Sequence, residues 1–69
     1  TKSKERILKV KLAISEFLQD VQRFSVDDLY YFFYGIEYFS RAELQRIVWF
    51  LIKYKDIKVI EKEKYYFAL

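Results

Sequence analysis

The chain contains no cysteine and no histidine. Disulfide staples are therefore excluded, the ordinary zinc ligands are missing, and so are the commonest nucleophile and general base of enzyme sites. Methionine is absent and Gly35 is the single glycine, which rules out a glycine-rich phosphate loop. No apolar run approaches the roughly 18 residues needed to cross a bilayer, and the basic N-terminus runs into a charged amphipathic pattern instead of a signal-peptide core. The only close carboxylate pairs are Asp27 with Asp28 and Glu61 with Glu63. One sits where a helix begins and the other in a hairpin, so dipole complementation and solubility account for both. We expect no enzymatic role, no metal, no cofactor and no membrane span, and a cytoplasmic location.

What the chain does have is aromatic bulk. Of its 69 residues 54% are hydrophobic and 22% aromatic, which marks a folded globular domain. A chain this short buries only about 60% of the surface its unfolded form exposes. Without staples, large rings and self-association are the remaining supplements.

The net charge of +3 is unevenly distributed. Residues 1–11 hold Lys2, Lys4, Arg6, Lys9 and Lys11 against Glu5, leaving +4. Residues 12–45 hold Arg23 and Arg41 against Glu16, Asp20, Asp27, Asp28, Glu37 and Glu43, leaving −4. Residues 46–69 return to +3. Basic ends around an acidic middle fit contact with a polyanion through the ends, and equally a solvated mixed-charge surface.

Ile7, Val10, Ile14, Phe17, Leu18 and Val21 fall within one helical arc of about 100°, which predicts a first helix over about 4–23. Leu8 and Leu12 lie i, i+4 on a different side and suggest a partner, either a second copy of the chain or another part of this one. Ser25 with Asp28 three residues later forms a start signal, Val26, Leu29, Tyr30 and Phe33 continue at helical spacing, and Gly35 ends a second helix of about 26–34. Ser40 and Glu43 have the spacing of a capping box before Leu44, Ile47, Val48 and Leu51, which predicts a third helix over about 41–54. The ending changes to period 2. Ile57 and Val59, then Tyr65, Phe67 and Leu69, flank a polar EKEK, which predicts a β-hairpin over about 57–69. Lys62 and Glu63 are poor residues for a tight primed turn, so a longer or looser tip is expected. The expected fold is α+β, one domain over residues 1–69.

Helix, capped helix, glycine, capped helix and hairpin, in that order, resemble the winged helix-turn-helix family over nearly the whole chain. The resemblance lies in Ser25 with Leu29, in Gly35 with Ile36, in Leu51 ahead of Ile57, and in the final YYFAL. It implies that Phe24 lies in a minimal first strand paired with the hairpin. It also implies binding of double-stranded DNA, with the third helix in the major groove and the hairpin, or wing, along the backbone, in a transcriptional regulator that is a homodimer. The solvent side of that helix carries Ala42, Gln45, Arg46, Trp49 and Lys53, with Arg41 at its first turn. Arg41, Gln45 and Arg46 would read bases, while Lys53, Lys62, Lys64 and the basic first turn would meet phosphates. Trp49, at the centre of this side, equally suits a protein interface, where tryptophan and arginine are favoured anchors. A protein-interaction module within a transcription, replication or membrane-remodelling assembly is thus the alternative.

The stretch DLYYFFYGIEYFSR holds seven aromatic side chains in its fourteen positions. Leu29, Tyr30 and Phe33 should face the core, and Tyr38 and Phe39 should sit in a lengthened turn. Tyr31, Tyr34 and Tyr38 are candidates, with Leu8 and Leu12, for a dimer or partner interface. Abundant lysine, isoleucine, glutamate and tyrosine resemble the composition of archaeal or archaeal-viral proteins. A start without methionine fits a domain excised from a longer protein.

Overall fold

A computed structural model describes residues 2–69, apart from the side chain of Lys2, so that part of the expected basic first turn lies outside the described residues. Three helices and a three-stranded antiparallel sheet follow one another as α1 (Lys2–Asp20), β1 (Arg23–Ser25), α2 (Val26–Phe33), α3 (Arg41–Lys53), β2 (Val59–Lys62) and β3 (Tyr65–Ala68). The fold is α+β with a winged-helix-like layout. No described helix is long and apolar enough to cross a membrane.

The helical stripes read from spacing do become the core. Val10 and Ile14 of α1, Leu29 and Phe33 of α2, and Leu44, Ile47, Val48 and Leu51 of α3 are buried together. Both serine caps form. At Ser25 the box is complete, with Oγ accepting from Asp28 N–H and the Asp28 carboxylate accepting from Ser25 N–H. At Ser40 only half of it forms. Ser40 Oγ accepts from Glu43 N–H, but the Glu43 carboxylate is turned away to Arg6 of α1, a charged donor that outcompetes the neutral amide. Gly35 takes φ +81 just past α2, with nothing within 4 Å of where a Cβ would lie. Its role is therefore conformational and not a matter of space.

Two sequence expectations need correction, and a third gains a feature. The first helix stops at Asp20, short of the predicted 23, and Val21 is 57% exposed. The chain must leave the helix to pair β1 with β3, and Gln22 makes the turn at φ 60 while its carbonyl accepts from Ala68 N–H. Phe39 lies in the turn as expected, but its ring is 2% exposed and meets Phe33 at 4.5 Å between ring centroids. The hairpin tip, expected to be loose, is tight. Lys62 pairs directly with Tyr65, leaving Glu63 and Lys64 as a two-residue turn with Glu63 at φ 59.

The sheet runs β1-β3-β2, so the last strand is central. Phe24 pairs with Tyr66, as the implied first strand requires, and their rings stack at 5.2 Å. Phe24, Tyr66 and Val59 close the core from the sheet side. A left-handed conformation at a non-glycine residue costs about 1–2 kcal/mol, partly offset by the greater unfolded-state freedom of glycine. Glu63→Gly is thus expected to stabilise the domain by about 0.5–1 kcal/mol in urea denaturation.

Candidate nucleic-acid interface

Burial of Leu44, Ile47, Val48 and Leu51 fixes how α3 is rotated, and the 3.6-residue period then turns Ala42, Arg46, Trp49 and Lys53 outward. All four are exposed, Trp49 by 56%. Beside this ridge the hairpin tip carries exposed Lys62 and Lys64. A groove of about 540 Å³ lies between them, bounded by Asp27, Arg41, Ala42, Gln45, Glu63 and Lys64.

The two flanks of α3 are engaged within the molecule. Toward α2, Arg41 Nε donates to Asp27 Oδ1 at 2.6 Å, and its guanidinium lies 4.2 Å from the Tyr30 ring centre. Toward the sheet, Gln45 Nε2 donates to Tyr66 Oη, half-burying the amide. These two residues, expected to read bases, thus have partners 14 and 21 positions away that no local pattern announces.

On the α1 side, Arg6 collects the chain's acidic middle. Its Nε and one terminal nitrogen donate to the two oxygens of Glu43, both at 2.6 Å. The other contacts are Glu37 at 3.1 Å and the Tyr38 carbonyl at 2.8 Å, and the guanidinium covers the Phe39 ring at 4.0 Å. Lys9 adds a second cation to Glu37 at 2.5 Å. Arg6 and Lys9, in the second turn and beyond, are therefore occupied in holding α1 to α3 and to the turn before it. Sequence reasoning missed this cluster because its partners are 28 to 37 residues apart.

The consequence for the outward surface is electrostatic. Glu37 and Glu43 are paired by α1 and Asp27 by Arg41 on the groove wall, whereas Arg46, Lys53, Lys62 and Lys64 make no ion pair among the described residues. The Arg6 hydrogen bond holds the Glu43 carboxyl below its ordinary value of 4.5, against the opposing effect of partial burial and with added attraction from Arg6 and Arg46. A carboxyl that is more acidic when folded stabilises the fold above its unfolded value and loses that effect as the pH falls through the folded one. At neutral pH, Arg6→Met is expected to cost about 1–2 kcal/mol in urea denaturation, between the values for exposed and buried pairs. The gap between wild type and variant should narrow as the pH drops below 4.5. A gap that stays constant into acid would assign the loss to packing on Phe39 instead.

The five candidate interface residues are all exposed, Leu8 by 54%, Leu12 by 59%, Tyr31 by 65%, and Tyr34 and Tyr38 by 74% each. They do not form one set. Leu8 and Leu12 lie on α1, whereas Tyr34 and Tyr38 line a cavity of about 290 Å³ at the turn after α2. Compared with known proteins, the chain matches no family model, no curated protein and no solved structure.

Proposed function

We propose that the protein is a winged-helix transcriptional regulator that binds duplex DNA, with α3 in the major groove and the hairpin on the backbone. The supporting observation is that Arg46 and Lys53 on α3, with Lys62 and Lys64 on the tip, make no ion pair among the described residues while Asp27, Glu37 and Glu43 are paired within the molecule, leaving Glu61 and Glu63 as the acidic residues of the tip. An α-helix with side chains is about 10–12 Å across and the major groove about 12 Å wide. Seven residues separate Arg46 from Lys53, about 10 Å along the helix axis, so one can meet a base edge while the other meets a phosphate. Gln45 reaches DNA in this reading only by releasing Tyr66, and Arg41 only by releasing Asp27. Fluorescence anisotropy of a labelled mixed-sequence duplex at low salt tests the proposal. Binding at micromolar protein is expected, and none at tens of micromolar would refute it (non-specific binding alone reaches about 10⁻⁴–10⁻⁶ M).

A protein-interaction role is the second reading. It is favoured by the aromatic surface at the C-terminal half of α3, where Phe50 and Tyr54 meet at 4.6 Å beside exposed Trp49. A homodimer through Leu8 and Leu12 is compatible with either reading. Light scattering that gives a monomer mass at high concentration would remove it.

A further inference from the structure

The outer side of the sheet carries a second set of rings that the α3 site does not use, flanked by Arg23 and by Lys62, which it shares with the hairpin tip. Strand alternation turns Phe24, Tyr66 and Val59 into the core and sets Tyr65 and Phe67 on the opposite side, on the central strand. Both are half-buried, and neither packs against the hydrophobic core. Their ring centres are 6.4 Å apart, close to the two-residue repeat of a strand, about 6.6 Å. Register places Arg23 and Ile60 on either side of Phe67, and Lys62 beside Tyr65. Lys58, whose carbonyl accepts from Leu69 N–H at 2.9 Å, extends the same side. Glu61, one residue on from Ile60, belongs to the other side, so the charged residues that alternate onto this side, Arg23, Lys58 and Lys62, are all positive, with Glu63 and Asp27 sharing the groove that Tyr65 borders.

We propose that this face binds single-stranded DNA, stacking two successive bases on Tyr65 and Phe67 and meeting the flanking phosphates with Arg23 and Lys62. The chemistry is that of a stacking platform, two ring faces on one strand, inclined at 59° to each other, with cations at the margins. The Arg23 guanidinium lies 4.8 Å from the Tyr65 ring centre. A base stacking there displaces a weaker cation–π contact of an exposed arginine and frees the guanidinium for a phosphate. Ile60, 50% exposed and opposite Phe67, offers an apolar neighbour to a thymine methyl group. The choice of DNA rests on the duplex reading, because Tyr65 also borders the groove beside α3. A strand parted from a duplex held in that groove runs directly onto the rings.

The test uses the full chain and labelled oligothymidylate of about twelve nucleotides, within the span such surfaces cover. Wild type should bind it, and Tyr65→Thr/Phe67→Thr, which keeps strand-forming residues, should weaken it at least about tenfold. Phe67→Thr alone, which lies away from the groove, should also weaken oligothymidylate and keep duplex affinity within about twofold, whereas Arg46→Ala should weaken duplex and spare oligothymidylate. Three results overturn the proposal: no oligothymidylate binding by wild type, an unchanged affinity in the double variant, or equal losses for both ligands in Phe67→Thr with a native melting curve. Tighter binding of oligouridylate than of oligothymidylate overturns the assignment to DNA. If oligothymidylate binds through the rings while duplex does not bind at all, the duplex reading fails and the stacking face stands.

Discussion

Phe24→Ala is expected to abolish cooperative folding at 37 °C, or to lower the melting temperature by at least about 12 °C. Phe24 is fully buried, stacks on Tyr66 and belongs to the strand that closes the sheet against α1 and α2. Truncating a buried phenylalanine costs about 3–5 kcal/mol, and a stacked partner adds to that loss. Marginal stability of a 69-residue domain is itself only about 3–10 kcal/mol. One ring is thus a large part of the whole. Tyr31→Ala makes the contrast, since Tyr31 is 65% exposed and makes a T-shaped ring contact with Tyr30. It should melt within a few degrees of wild type, as surface changes do. Thermal circular dichroism checks both. A Phe24→Ala protein as stable as the Tyr31 variant would mean that the sheet is not a working wall of the core.

Helix positions were legible because the core stripe of each helix repeats at the helical period within a few turns of chain. Leu44, Ile47, Val48 and Leu51 lie in that stripe, and all are buried. The burial of Phe39 was missed although a signal existed. Phe39 precedes the cap Ser40 and Leu44 is the fourth helical residue, while Phe24 and Leu29 hold the same places around Ser25. This is the spacing of a hydrophobic staple, and all four residues are at most 2% exposed. Other features had no such signal. Glu63 adopts positive φ because strand pairing on either side forces the turn, and Gln22 because the chain must leave α1 and pair at once as β1, and neither residue type favours it. Alternation indicated that Tyr65 and Phe67 share a side and that Tyr66 takes the other, but not which of the two is buried. That follows only from the register with Phe24. On α3, the period sufficed to turn Arg46, Trp49 and Lys53 outward. The engagement of Arg41 and Gln45 depends on Asp27 and Tyr66, which only the tertiary fold brings near.

Raising salt from 50 to 200 mM is expected to weaken the proposed duplex complex by roughly 100-fold. Four unpaired cations, Arg46, Lys53, Lys62 and Lys64, displace about four counterions, which sets the slope of log affinity against log salt near −3.6. Removing Lys53 or Lys64 should flatten that slope by about 0.9 each, uniformly across DNA sequences, because a phosphate contact carries no sequence information. Asp27→Asn is the more discriminating variant. In the folded protein the Asp27 carboxylate binds Arg41 at 2.6 Å on the wall of the groove, so its loss both removes a negative charge and frees a guanidinium. Affinity should rise and the slope should steepen by about 0.9. A neutral or weakening effect of Asp27→Asn would mean that Arg41 does not face the DNA and that the groove between α3 and the tip is not where the backbone runs. A wild-type slope near zero with binding retained would transfer the contacts to Trp49 and its aromatic neighbours. An apolar surface releases few counterions, and the protein-interaction reading would then take precedence.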